Sequence, residues 1–269
     1  MSKDDLGDRM KFYEMAEAGR KLNPLQPIMV RIDGRRFSKF TEGLDKPFDR
    51  RIVGLMDLVT TRLIKSFNAV LGYTQSDEIT LCLYKEPESK EPSVIFGGRP
   101  QKLTSIIAAE TTLYFNKHLP NFLPANYVDK NPMFDCRVWN VPTTGEAANC
   151  FIWRQLDCMK NAVSATARKY LGHSVMQNKN SLELKKLLEE RGCYFDEYPD
   201  FFKNGLYLCK HLVAQYISEL DLKSLPEKHE ARKGGPFNIE SFMVDYLVME
   251  NNMSDIYGKL KNVIEKGYY

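Results

Sequence analysis

The chain is 269 residues long, 43% hydrophobic and 12% aromatic, which is enough for a sizeable core in one large domain or two modest ones. Six cysteines with no CxxC pair and only four histidines argue against a zinc site or disulfide framework and for reduced thiols inside a cell. No stretch approaches the roughly 20 apolar residues of a membrane span, and no signal-peptide run follows Met1-Ser2-Lys3-Asp4-Asp5. No membrane partner is therefore expected, and the expected location is the cytoplasm, with an organelle left open.

The net charge is only +3, but residues 31–51 hold seven Lys/Arg against four Asp/Glu, a local basic patch open to a nucleotide or nucleic-acid partner. The apolar run Gln26-Pro27-Ile28-Met29-Val30-Arg31-Ile32 reads as a buried strand entering Asp33-Gly34, where glycine allows a sharp turn and close approach of a ligand. Asp49 is placed to cap a helix with Ile52, Leu55, Met56, Val59, Leu63 and Phe67 on one stripe. A hairpin follows, turning at Gln75-Ser76-Asp77-Glu78, with Ile79, Leu81 and Leu83 alternating against Thr80, Cys82 and Tyr84. A second helix is expected over Leu103–His118 and a fourth strand over Phe134–Trp139. Strand, helix, strand, strand, helix, strand is the split βαβ order of ferredoxin-like folds, the topology of polymerase and cyclase palms.

From about Gly145 the pattern is helical. Glu146–Leu171 puts Ile152, Leu156, Met159, Val163, Ala167 and Tyr170 on one face and Arg154, Asp157, Asn161, Ser164 and Arg168 on the other. Another helix is expected from Asn180-Ser181 to Arg191, and residues 223–238 read as a polar loop. The fold class expected is α+β: a ferredoxin-like palm with an antiparallel sheet over 1–144 and a helical C-terminal region over 145–269 packed on it.

Asp33 and Asp77 fall at the ends of neighbouring strands. Each alone reads as turn chemistry. Together they offer two carboxylates to hard divalent cations, the arrangement that serves in-line phosphoryl displacement. The Gly34 carbonyl, or the amides after it, can reach a metal or triphosphate unobstructed. Arg99 and Lys102 sit near the start of the second helix, where two cations at a helix N-terminus suit a polyphosphate or simply a solvated helix end. The polar stripe Arg154, Asp157, Asn161 reads either as a solvated face or as a ligand-facing one.

Several segments in order resemble the tRNA-His guanylyltransferase family. They are Arg31-Ile32-Asp33-Gly34-Arg35 with Phe37, Asp45-Lys46-Pro47-Phe48-Asp49, Gly72-Tyr73-Thr74-Gln75-Ser76-Asp77-Glu78, Arg99-Pro100-Gln101-Lys102-Leu103, Phe151-Ile152-Trp153-Arg154-Gln155-Leu156-Asp157 and Lys179-Asn180. The match covers nearly the whole chain and weakens over the last 60 residues or so. Family guanylyltransferases carry His-Ile-Asn-Asn where this chain has Met159-Lys160-Asn161-Ala162. That departure, with Tyr73-Thr74 before Gln75, is similar to the guanylyltransferase-like branch, which repairs truncated tRNA 5′ ends in the 3′-to-5′ direction.

The resemblance implies two Mg2+ ions on Asp33, the Gly34 carbonyl and Asp77, with Asp33, Asp77 and Glu78 as the catalytic acidic set. It implies nucleotide contacts from Asp33, Gly34, Arg35, Arg36, Phe37, Ser38, Lys46, Ser76 and Asp77, and triphosphate contacts from Arg99 and Lys102. RNA or a second nucleotide would meet Arg154, Asp157, Asn161 and Lys179. Implied partners are tRNA, GTP and other NTPs, ATP, and further copies of the chain in a homotetramer. Three other readings stay open: a dedicated tRNA-His guanylyltransferase adding a single G, a palm-fold nucleotide cyclase, and a non-catalytic RNA-binding module.

Overall fold

Alternation along the central strand sets the layers. In β1 (Ile28–Gly34), Ile28, Val30 and Ile32 are buried toward one side of the sheet. Met29 is buried toward the other, the side that Arg31 and Asp33 share with it by the two-residue strand period. The computed structural model describes residues 5–85, 94–215, 223–224, 226, 239–249 and 252–269.

In chain order, α1 (Asp5–Ala18) precedes β1. Then come α2 (Phe37–Phe40), α3 (Arg50–Phe67), β2 (Leu71–Gln75), β3 (Glu78–Leu83), α4 (Pro100–His118), α5 (Ala125–Val128) and β4 (Phe134–Asn140). They are followed by α6 (Thr144–Tyr170), α7 (His173–Met176), α8 (Ser181–Glu189), α9 (Asp200–Asn204), β5 (Leu206–Gln215), β6 (Ile239–Tyr246) and a C-terminal helix, α10 (Met253–Lys266). The six strands form one antiparallel sheet in the order β4-β1-β3-β2-β5-β6. Its first four strands carry the expected split βαβ connections, with α3 crossing from β1 to β2 and α4 from β3 to β4.

The two faces are covered differently. α3 and α4 close one face, where Leu55, Met56, Val59, Leu63, Leu103, Ile107 and Phe115 meet Ile28, Val30, Ile32, Ile79 and Leu81. Asp49 caps α3 as expected, its carboxylate accepting from the Arg51 amide at 2.9 Å. On the opposite face, Phe151 and Cys158 of α6 and Ile256, Leu260 and Val263 of α10 cover Met29, Leu71, Tyr73 and Cys82. Asn180 starts α8 with a capping box closed by Glu183, and α8 packs Leu184 and Leu188 on the far half of α6.

Two expectations for the second half of the chain change. Residues 145–269 are not helical throughout, because β5 pairs with the free edge of β2, Tyr207 opposite Tyr73, and β6 pairs with β5. A four-stranded palm would have left β2 as an exposed edge, a liability that sheets cover where they can. Most of the loop expected over 223–238 lies outside the described residues. The buried face of α6 is only partly the expected one: Val163 and Ala167 are buried, as expected, but the rest of the stripe is rotated. Its buried positions are Ala147, Ala148, Phe151, Arg154, Gln155, Cys158, Ala162, Val163, Thr166 and Ala167, while Leu156, Met159 and Tyr170 are exposed. Small residues let α6 lie close on the sheet; buried Arg154 and Gln155 find partners there in Glu78 and Tyr207, and Thr166 donates to the Ala162 carbonyl of its own helix. Among the described residues, no helix is long and apolar enough to cross a membrane.

Candidate active site

The carboxylates gather because β1 ends where the β2–β3 hairpin turns. Asp33 stands opposite Glu78 in the β1–β3 register and opposite Asp135 in the β1–β4 register. Asp77 follows Ser76 in the two-residue turn, and Ser76 adopts a φ of 49°, the left-handed geometry tight hairpin turns demand. Gly34 makes room for Asp77. A Cβ at Gly34 would lie 3.0 Å from the Asp77 Cβ and 2.5 Å from the Phe37 ring. Any side chain there would push the turn away from the strand end.

Burial first, and the charge of Asp33 second, push the Asp77 carboxyl up to about 6. A cation bound at this pair would offset that repulsion. Glu78 is differently committed. Both of its oxygens accept from Arg154, at 2.5 Å from Nε and 2.8 Å from an Nη. Arg154 also donates to Asp157 at 2.8 Å, and the Gln75 amide reaches the Arg154 carbonyl at 3.5 Å. Burial raises the Glu78 pKa while the Arg154 bonds oppose the rise. Arg154 is 7% exposed, so it is a tie between α6 and the hairpin and not a solvated side chain. Among the described residues no three His, Cys, Asp or Glu side chains form a metal-binding group. The residues that could hold a cation here are Asp33 and Asp77, with Gly34 next to Asp33 in the chain and packed against Asp77. Oxygen ligands of this kind fit Mg2+, which keeps several waters and needs only one or two protein carboxylates.

The other expected residues divide into those near this end of the sheet and those far from it. Arg35, Arg36 and Ser38 are exposed in the turn leaving β1, with Arg36 at a φ of 53° before the single turn of α2. Phe37 is buried against Phe40, Phe115 and Phe134, so only its main chain faces outward. Lys46 is exposed on the segment leading to α3. Asp157 and Asn161 continue along α6 from Arg154, 3.4 Å apart, and Lys179 is exposed in the turn between α7 and α8.

Arg99 and Lys102 are not brought to the carboxylates of their own chain. The Leu22 amide donates to the carbonyl of Gly98, and Asn23 bonds Asn140, the residue opposite Ile28 at the start of β1. The C-terminal end of α4 is the one near the site, with Phe115 against Phe37 and Phe134. The β1 strand separates the two ends by roughly 20 Å at about 3.3 Å per residue. The reason is topological, since α4 begins where β3 finishes, at the end of the sheet away from Asp77.

The palm architecture corresponds to that of known proteins. The family model described as tRNAHis guanylyltransferase matches residues 7–142. The chain belongs to the tRNA-His guanylyltransferase family. It is thus a nucleotidyltransferase of that type. An uncharacterised protein, R259, of Acanthamoeba polyphaga mimivirus is 32% identical over 231 residues, covering 78% of each chain. A bacterial tRNA(His) guanylyltransferase-like protein solved with ATP is 33% identical, with a TM-score of 0.70 over 76% of this chain and 88% of that one. A bacterial protein of the same description solved with GTP is 26% identical, with a TM-score of 0.72 over 97% and 99%.

Sequence reasoning missed Arg31, Trp153 and Asp135 at this end of the molecule. For Arg31 and Asp135 a signal was available, because both fall on the same strand face as Asp33 once the register is drawn. Trp153 carried none beyond lying in the Phe151–Asp157 segment of the family resemblance.

Proposed function

We propose that the chain adds nucleotides to the 5′ end of tRNA in the 3′-to-5′ direction, templated by the opposing strand, with Asp33 and Asp77 as the metal-holding pair. The observation that carries this reading is Asp77 packed against Gly34 beside Asp33, with Glu78 withdrawn into the Arg154 tie. A 5′-monophosphate end would be activated by ATP, giving a 5′-adenylylated end and pyrophosphate. The 3′-hydroxyl of the incoming NTP then displaces AMP, and a triphosphorylated end needs no activation. Two bound Mg2+ ions would supply charge neutralisation on the transferring phosphate and a lower pKa for the attacking hydroxyl. The chain's own part is positioning: Asp33 and Asp77 fix the reacting end, exposed Arg35, Arg36 and Ser38 border it, and no side chain need act as a strong base. That bacterial relatives were solved with ATP and with GTP supports nucleotide use by this chain.

In a homotetramer, the assembly the resemblance implies, Arg99 and Lys102 would serve a neighbouring copy's triphosphate. The cytoplasm is the proposed location.

The test uses tRNAs lacking the first 5′ nucleotide and differing only in the opposing base. Each NTP is supplied separately, with and without ATP. The nucleotide added should follow the opposing base, because a wrong partner leaves hydrogen-bonding groups unpaired. Addition of G whatever stands opposite would instead make the chain a dedicated guanylyltransferase.

A further inference from the structure

The sheet face beside the carboxylates carries an aromatic plane that the reading above does not use. Trp153 projects from the middle of α6 with 52% of its surface exposed. The Arg154 guanidinium lies 4.5 Å from its ring centroid and the Arg31 guanidinium 5.8 Å. Because Glu78 and Asp157 hold Arg154 in place, the indole rests on a fixed support and presents its remaining surface preformed. Arg31 leaves β1 on the same face as Asp33, two residues and about 7 Å away. Its Nε is buried without a hydrogen-bond partner. Arg137 stands directly opposite Arg31 on β4, 57% exposed, its contact to Asp135 a long 3.8 Å.

We infer that Trp153, with Arg31 and Arg137, is the stacking platform for the terminal base at the RNA 5′ end being extended. The inference rests on the proposed nucleotide addition and deepens it. The chemistry matches: a flat apolar ring accepts any base by stacking, and guanidinium groups beside it meet the phosphates. Sequence-tolerant stacking is what an enzyme acting on many ends requires. Guanidinium donors on this face stay open to an anionic occupant. Arg31 shares the face with Asp33 and meets Glu78 only through space, its Nε unpaired, and Arg137 meets Asp135 at a long 3.8 Å. The direction of the surface selects RNA over a free nucleotide. It runs from Asp33 back along β1 and β4, away from the strand ends where the 35–38 turn lies. A chain entering past the reacting end covers it, whereas a mononucleotide on the carboxylates does not.

The test uses a 5′-phosphorylated RNA hairpin, the same hairpin with an abasic 5′ nucleotide, and GTP alone. It is run on full-length protein in a Trp139→Phe background, so that Trp153 is the only indole. The intact hairpin should quench Trp153 emission saturably, and the abasic hairpin and GTP should not. In turnover, Trp153→Leu should raise KM for the hairpin about tenfold, the scale of one base–aromatic stack, with KM for NTP within twofold. Trp153→Phe should recover most of the loss, which a merely structural role would not explain. Equal quenching by the abasic hairpin or by GTP overturns the inference. So does an unchanged RNA KM in Trp153→Leu, including the case where only its oligomeric state changes, which would make this face a contact between copies. Quenching needs no turnover, so base-dependent quenching without nucleotide addition would reject the proposed reaction and leave the platform standing.

Discussion

The two faces of the palm sheet are built from different materials. Under α3 and α4 the contacts are almost wholly apolar, with Ile79, Leu81 and Leu63 fully buried. Under α6 the burial is mixed. Arg154 and Gln155 are interior, Tyr207 donates to Gln155 at 2.9 Å, and Glu78 is locked to Arg154. The apolar face supplies most of the area-proportional stabilisation and tolerates volume-conserving change. The mixed face has to satisfy every polar group it buries, and in doing so it fixes the β2–β3 hairpin, and with it Asp77, against β1. On the proposed function, chemistry sits on the face where polar burial is specified, and the other face serves as its foundation.

Short of removing the carboxylates themselves, the largest loss of turnover is expected at α4, which lies on the apolar face with its cations far from the carboxylates of its own chain. Arg99→Ala combined with Lys102→Ala should lower nucleotide addition by roughly 100-fold, if each charge-assisted phosphate contact is worth about tenfold. Co-expression with inactive Asp77→Ala chains should restore activity in mixed assemblies. No restoration would place these cations outside the reaction.

Next is a direct comparison of the two faces. Arg154→Ala leaves the buried Glu78 carboxylate unpaired and should destabilise by about 3–5 kcal/mol. Leu81→Ala on the apolar face should cost about 2–5 kcal/mol through its cavity. Denaturant melts measure both. The separation lies in turnover of the folded fraction, which should fall for Arg154→Ala and hold for Leu81→Ala. Equal turnover in the two variants would remove the functional distinction between the faces.

A third effect is set by pH. The folded pKa of Asp77 is raised from 3.8 to about 6. A raised carboxyl pKa means that the fold prefers the protonated form, so stability from this group is lost as pH climbs from about 4 through 6. The change is on the order of 2–3 kcal/mol. Without metal, Asp77→Asn should therefore melt higher than the native chain at pH 7.5 and match it near pH 4. Mg2+ should raise the native melting temperature more at pH 7.5 than at pH 5. A pH-independent Mg2+ shift would contradict binding at this pair.

The smallest effect belongs to the apolar face. Asp49→Ala removes the α3 cap and should cost about 1 kcal/mol with turnover unchanged. The Arg51 side chain, by its hydrogen bond, holds Asp49 down at about 2. Its contribution is thus present above pH 3.8 and lost as pH falls through 2, which acid melts of the variant and the native chain would show.

The difference between the faces also decides what the sequence reveals. The α3 stripe, the Asp49 cap, the alternating hairpin and the Asn180 start of α8 are legible because large apolar residues and cap chemistry repeat at fixed periods. Asp33, Gly34 and Asp77 are legible because acids and glycine at strand ends have few other uses together. The α6 face is not legible by that logic. Its buried stripe mixes alanine, cysteine, arginine, glutamine and threonine with Phe151 and Val163, while Leu156, Met159 and Trp153 stay outside. Arg154 is interior only because Glu78 arrives from a strand 76 residues earlier, a pairing no local pattern encodes. The strand Leu206–Gln215 has a visible apolar run after Gly205, but its partner is the β2 edge, known only once the sheet is assembled. The distance of Arg99 and Lys102 from Asp33 is likewise topological, following from the direction of α4.

The central claim is that Asp33 and Asp77 together hold the reacting end. Labelled GTP incorporation into a 5′-truncated tRNA should be measured at saturating Mg2+ for the native chain, Asp33→Ala and Asp77→Ala, each shown by circular dichroism to be folded. Both variants should fall by at least about 1,000-fold, several kcal/mol of lost transition-state stabilisation. Near-native incorporation by either folded variant would contradict the assignment of this pair as the active site.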